Sequence, residues 1–544
     1  MVSRVGAEHW VVGLVAVALP AALLVPPAAS LGRSAVAVVI LVAALALRCI
    51  VRRLPQRLAG VSRRRPWLAA AWMLVAALAI VQLARLSAFM TDSSRTWGSA
   101  VPDPLAINHQ CLSAYVQAAD LSRRGERNVY AARWYPAFAR DAEPRGASSP
   151  VRGLGRWLYD PYEYPPPFLL LPRVVLGLTN DFDHIRTGWF LLQAIIVMTA
   201  ALLCACWIGG SQGLTAGLLL PALMASVPML LTFQFGQFHA VSVLAAVAGM
   251  IAFERRRQAI GGAMLAVAIL SKIFPALLLV TLVRRRCWRS LGWTIAFAAL
   301  LSLVAVAVLG LGPFTAFMTY QVPRMATGEA FSFATRTDVP ALIVSRNFSV
   351  EAIPRKLAML GVTHLPGNVA DWLPSVYALL LLGLAWCAGG RSATGTGSVL
   401  GSLALLNLAA LRSPVAPSAY VAAPMLWMLA LMADAVRGRT ATGIGLGVAW
   451  ALLMGPPPLP MTADLLMGLL GQGLAIALGV GVLMQSPSTD PSEMPTSAGR
   501  TTSERPTGRA AMRAAVHTRG LTRYSARLVG PRGQPGFTRS PLQP

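Results

Sequence analysis

Lys272 stands inside the apolar run "AVAILSKIFPALLLV", and only one other lysine, Lys356, occurs in the chain. An ammonium in the middle of a membrane segment costs about 3 kcal/mol, so its default meaning is a cation held for an anion. Other polar groups stand at the edges of apolar runs. Gln237 and His239 lie in "FQFGQFHAVSV", Tyr164 in "LYDPYEYPPPFLLLP", and Arg346, Asn347 and Ser349 in "SRNFSVEAIPRKL". Two cations, an amide and an imidazole are groups that steady charge growing on a leaving anion. Plainer roles stand beside these. Lys272 snorkels at a turn, Gln237 and His239 pack the start of a span, and Tyr164 anchors at the interface. Asn347 and Ser349 cap a helix that starts near Val350.

These residues are placed by an apolar frame. The 544 residues are 56% hydrophobic and 12% charged, with a mean hydropathy of +0.59. A soluble chain carries roughly 25% charge. Apolar runs near span length, without the alternation of barrel strands, predict an all-α, polytopic integral membrane protein. The formal charge of +26 falls largely in arginine clusters beside these runs, which set orientation. Nucleic acid is therefore not expected as a partner. The six cysteines show no paired metal-ligand spacing, and neither a disulfide framework nor a metal site is expected. The first apolar run ends near "VPPAAS" and is read as an uncleaved helix, because a second span follows at once.

Spans are expected near 10–28, 33–50, 67–87, 185–208, 213–231, 237–253, 290–312, 373–390, 396–412, 417–436, 441–455 and 462–485. Residues 1–66 form two leading spans and a basic loop, "RCIVRRLPQRLAGVSRRRP", placed in the cytoplasm. Between "ERRRQ" and "RRRCWR" the segment 259–283 must enter and return, as two short helices meeting around Ser271 and Lys272. About 13–14 transmembrane helices result, with charge and parity in agreement. Two large outer loops are expected, about 88–165 and 313–371. The first carries "AINHQCLSAYVQAADLSRRGERNVYAARWYPAF", whose Leu112, Tyr115, Ala118, Ala119 and Ser122 recur at the spacing of an amphipathic helix lying on the bilayer. Residues 456–485 hold the last span. The polar tail 486–544, rich in Ser, Thr, Pro and Arg, is expected to be disordered and cytoplasmic.

Taken in order, the amphipathic helix, "Y-x-Y-P-P", "G-Q-F-H", a basic loop, "GGAMLAVAILSKIFPALLLV", "R-N-F-S" and "R-S-P" resemble a known family. They are similar to the membrane mannosyltransferases that use polyprenyl-phosphate-mannose, a branch of the GT-C superfamily that includes enzymes elongating phosphatidylinositol mannosides. The resemblance covers about 67–455. It implies a GT-C-like bundle, a polyprenyl-phosphate sugar donor, a lipid or glycan acceptor, and inverting transfer outside the cytoplasmic membrane, with no metal or cofactor. Lys272 and Arg346 are then the candidate cations for the donor phosphate, with Gln237 and His239 as hydrogen-bond donors. Tyr164, Asn347 and Ser349 are candidate substrate contacts.

The sequence departs from the family twice. Four residues before Tyr115, where the family has an acid, stands Cys111. After Ser413-Pro414, where an aromatic, a polar residue and histidine are expected, the chain reads Pro417, Ser418, Ala419, Tyr420. A thiol of ordinary pKa is a poor general base. The nearby acids Asp103, Asp92 and Asp120 are the substitutes, Asp103 being best placed between Pro102 and Pro104. Two other classes stand beside the enzyme: a silent relative that binds prenyl lipid in envelope assembly, and a lipid or small-molecule transporter. Against transport, intramembrane charge is nearly confined to one lysine.

Overall fold

A computed structural model describes residues 7–32, 34–37, 41, 66–92, 94–95, 110–135, 151–157, 160–327, 329–331, 341–362, 369–391, 395–433, 440–454 and 459–485. Helices build it, and among the described residues no strand forms beyond two isolated bridges. The expected span at 33–50 lies mostly outside the described residues, and the tail from 486 lies wholly outside them.

Helix α1 (Ala7–Leu31) packs on α2 (Pro66–Thr91). Helix α3 (Cys111–Arg123) follows, and after it a proline-rich segment leads into α4 (Leu170–Leu178). Helix α5 (Phe182–Ile208) is started by Asp181, whose side chain accepts from the backbone N–H groups of Asp183 and His184. That is an N-cap. Helices α6 (Gly210–Met224) and α7 (Val227–Gln234) are bent by 61° about a break that Ser226 caps. Then come α8 (His239–Glu254), α9 (Gln258–Ser271), α10 (Leu277–Arg284) and α11 (Trp288–Leu309). The second long connection holds α12 (Ala341–Ser345) and α13 (Ala352–Met359). The remaining helices are α14 (Val369–Gly389), α15 (Thr396–Ala410), α16 (Ser418–Met432), α17 (Thr440–Leu453) and α18 (Met461–Met484).

Among the described residues, six helices are long and apolar enough to cross a bilayer, or seven if the bent pair counts as one span. Large side chains on them face outward with nothing polar to excuse it, such as Leu74 (62% exposed), Leu303 (67%) and Leu379 (70%). In water such a surface would aggregate; in lipid it costs nothing. The chain is an all-α, polytopic membrane protein.

Several expected spans are shorter than hydropathy suggests. Helices α8, α15 and α16 have 16, 15 and 15 residues, against about 20 for a full crossing. Hydropathy registers apolar composition, whereas these helices are cut by local breaks at Gly236 and "RSPVAP". The segment 166–178 forms a short 3₁₀ turn and α4. A larger difference concerns α3. It was expected to lie on the bilayer, but Cys111–Leu121 are all buried within the protein. Tyr164 and Phe168 pack edge-on against Tyr115, and Trp189 packs beside it.

Arg186 on α5 fixes where the first long connection leaves α2. Its guanidinium, 1% exposed, donates to the carbonyls of Phe89 (2.8 Å), Asp92 (3.3 Å) and Arg95 (3.4 Å). It also lies between the rings of Phe89 and Trp157. A cation on the free carbonyls of a helix C-terminus satisfies both the charge and the orphan acceptors.

Candidate active site

Both long connections meet over a cavity of about 620 Å³. Its floor is the break between α9 and α10. Helix α9 stops at Ser271, Lys272 is extended (φ −150°, ψ 130°), and a 3₁₀ turn at Phe274–Ala276 restarts the helix. The lysine therefore leaves the apolar hairpin at its turn. Its Nζ donates to the Tyr164 hydroxyl at 3.1 Å and lies 4.6 Å from that ring's centroid.

Tyr164 belongs to "DPYEYPPP", where Pro165 is extended (φ −56°, ψ 148°) just before the 3₁₀ turn at Pro166–Leu169. The Tyr115 and Tyr164 hydroxyls lie 2.7 and 3.1 Å from Gln237 Oε1, which also accepts from the Phe238 backbone N–H at 2.9 Å. Gln237 is thus a hub whose oxygen is fully used. Its Nε2 is what it offers the cavity, and that group points at Cys111 Sγ, 3.8 Å away. Gly236 makes this placement possible. Its φ is +66°, and a Cβ there would sit 2.9 Å from Leu112 Cβ. His239 opens α8, stacked on Phe274 at 4.9 Å and facing Tyr420 at 6.1 Å.

The opposite wall comes from the second long connection and the turn between α15 and α16. Arg346 and Arg412 line the cavity. Arg346 Nε lies 3.8 Å from Asp464 Oδ2, and Arg412 donates to Glu351 at 3.0 Å. Asn347 joins the two segments, donating to Pro414 O at 3.0 Å and accepting from Ala416 N at 2.8 Å. Apolar residues complete much of the lining, among them Ile273, Leu277, Ala378, Leu381, Leu382 and Val421.

Of the residues named from sequence, Lys272, Gln237, His239, Tyr164, Arg346 and Asn347 all line this one cavity. Ser349 does not: it is fully buried behind the wall, its hydroxyl accepting from Glu351 N at 3.0 Å. Asp120 is also buried away from the cavity, paired with Arg123 at 2.8 Å and Arg124 at 3.1 Å. Asp92 lies at the end of α2, bonded to Ser94 and paired with Arg95 at 2.9 Å, and is not part of the lining. The Ser94 hydrogen bonds hold its carboxyl below the usual range, with Arg95 adding to the effect. Asp103 lies outside the described residues.

The cavity has carboxylates that sequence reasoning passed over. Among the described residues its acidic lining is Asp160 and Glu163. Cys111 Sγ lies 3.6 Å from Asp160 Oδ2 and 3.3 Å from the Tyr420 hydroxyl. Glu163 Oε1 is buried with no hydrogen-bond partner. Burial pushes the Glu163 carboxyl well above the usual carboxylate range, and the Asp160 charge pushes the same way; Lys272 and Arg324 pull against them. The available signal was a pair of acids three apart, on either side of Pro161.

Residues 162–414, just under half of the chain, match the model of glycosyltransferase family 87. No curated protein and no solved structure matches the chain. The matched stretch contains Glu163, Tyr164, Gln237, His239, Lys272, Arg346 and Arg412 from the lining; Cys111, Asp160 and Tyr420 fall outside it. With the apolar helices, the match supports a membrane glycosyltransferase.

Proposed function

We propose that the protein moves a hexose, mannose in the first instance, from a polyprenyl-phosphate donor to a hydroxyl of a lipid or glycan acceptor, and that it does so in this cavity. One observation carries the reading. A lysine and two carboxylates face a single chamber that also holds Arg346, Gln237 and His239 and is completed by apolar side chains. Lys272 neutralises the phosphate as it departs, with Arg346 as a second cation and the Gln237 amide and His239 as hydrogen-bond donors. Tyr164 holds the lysine in place. Ile273 and Leu382 line the cavity and are 46% and 48% exposed, an open apolar stretch of wall against which a prenyl chain can lie.

Asp160 is the general base. The acceptor hydroxyl attacks the anomeric carbon, its proton passes to Asp160, and the bond to the phosphate oxygen breaks with its electron pair leaving on the phosphate. Burial favours the protonated form of Glu163, and in that form it leaves Lys272 to the donor. The family acid absent at Cys111 is replaced in space by Asp160, which stands beside that thiol. This favours an enzyme over a silent prenyl-lipid binder. The acceptor side faces away from the cytoplasm, since the arginine turns after α8 and α10 lie at the far ends of helices that border the cavity.

The test is sugar transfer from radiolabelled polyprenyl-phosphate-mannose by the full chain in membranes. Asp160→Asn is expected to slow transfer by about 10²–10⁴-fold, and Lys272→Ala by roughly 10²-fold. Adding Cys111→Asp to Asp160→Asn restores at least about tenfold, because it puts a carboxylate in the same place. Asp103→Asn, assayed alongside, tests the acid expected from sequence, and a loss there with none in Asp160→Asn makes Asp103 the base. Wild type indistinguishable from a no-protein control defeats the reading. Full activity in Asp160→Asn defeats the base assignment alone.

A further inference from the structure

Helix α18 lies outside the family match, yet it grips the wall of the site. Its buried face carries two polar side chains, Asp464 and Gln472. The Ser345 hydroxyl donates to Asp464 Oδ2, and the Arg346 guanidinium Nε lies 3.8 Å from the same oxygen. One face further along, Gln472 Nε2 donates to Ser349 O at 2.6 Å, while its Oε1 accepts from the buried Lys356 ammonium at 3.2 Å. Two glycines let the backbones approach. A Cβ at Gly468 would lie 2.0 Å from Ser345 O, and one at Gly471 would lie 2.6 Å from Phe348 Cζ.

Asp464 is 4% exposed. A carboxylate so placed is retained only where partners repay its lost hydration. Its partners here are Arg346, which lines the cavity, and the buried Ser345 beside it.

We propose that Asp464 is a positioning residue, whose carboxylate orients the Arg346 guanidinium toward the donor phosphate. The inference rests on the donor reading above. It departs from the plainer idea that Asp464 merely offsets a nearby positive charge, because the two make opposite predictions for Asp464→Asn. Loss of orientation weakens phosphate binding. Loss of an offsetting negative charge strengthens it.

Binding of a fluorescent polyprenyl monophosphate to the full chain in detergent micelles separates them. Asp464→Asn and Arg346→Gln are each expected to weaken binding roughly tenfold, and the double variant no further, since both remove one interaction. Asp464→Glu recovers part of the loss. Gln472→Leu lowers the melting temperature but leaves binding within about twofold, because it loosens the grip without touching Arg346. Equal or tighter binding by Asp464→Asn overturns the proposal, as do losses that multiply in the double variant. Should Asp464→Asn not fold, Ser345→Ala takes its place. It removes the neighbouring donor to the same oxygen, and a loss of about threefold supports the proposal, while unchanged binding overturns it. A wild type that binds no prenyl phosphate defeats the donor reading and this inference with it. A wild type that binds the probe, with Asp464→Asn its equal, defeats this inference alone.

Discussion

Asp160 and Glu163 share one segment and one cavity, and their like charges divide the work between them. Burial first and Asp160 second raise the Glu163 pKa, so Glu163 is neutral below that raised value and charged above it. Once charged it faces Lys272, competing with the donor phosphate for the same cation. Transfer is therefore expected to fall as pH rises through the Glu163 pKa. Glu163→Gln fixes the neutral form. It keeps the rate below that pKa within about threefold and abolishes the fall above it. Measured kcat/KM against pH decides this, and an unchanged alkaline limb in the variant rules out Glu163 as its source. The basic and amide groups of the site were legible because motifs such as "KIFP" and "RNFS" place them at breaks in apolar runs. The acids were not. "DPYEYP" reads as an interfacial stretch, and which loop carboxylate turns inward is decided by distant packing around Tyr115 and Gln237. Asp120 shows the converse, since its helix position is plain in sequence but its arginine partners three and four residues on withhold it from the cavity.

At the scale of elements, the hairpin carrying Lys272 was readable because arginines flank 25 apolar residues on both sides, too few for two crossings. The burial of α3 was not, since its alternation of small and polar residues suits a bilayer surface as well as a protein interior. Gly236 shows how one backbone position serves the site. Alanine there takes on a left-handed conformation and a contact of 2.9 Å with Leu112. Gly236→Ala is expected to destabilise the protein by about 1–3 kcal/mol and to raise the donor KM by displacing Gln237. Thermal unfolding and donor titration report the two effects separately. Unchanged values in both would mean that α3 and the turn yield without cost.

Over the whole molecule, the arginine turns and the cavity lie at opposite ends of the same helices. Arg255–Arg257 follow α8, and Arg284 ends α10 with Arg285 and Arg286 after it, while the other ends of these helices border the cavity. Arg285 donates to the carbonyls of Gly389 and Arg391, tying α10 to the end of α14. Helix α14 then supplies Ala378, Leu381 and Leu382 to the apolar wall. Filling that wall should discriminate between donors by chain length. Ala378→Phe is expected to raise the KM for a long-chain donor about tenfold and that for a two-isoprene donor much less, since a short chain ends before the obstruction. Equal effects on both would place the prenyl chain elsewhere. The grip of α18 on Ser345 has a further consequence, in time instead of space. The contact joins residues 119 positions apart, so the ribosome releases every cation of the chamber well before the helix that anchors one of them. A nascent chain stalled in that interval holds a nearly complete but loose pocket, and insertion of α18 is the step at which it becomes rigid.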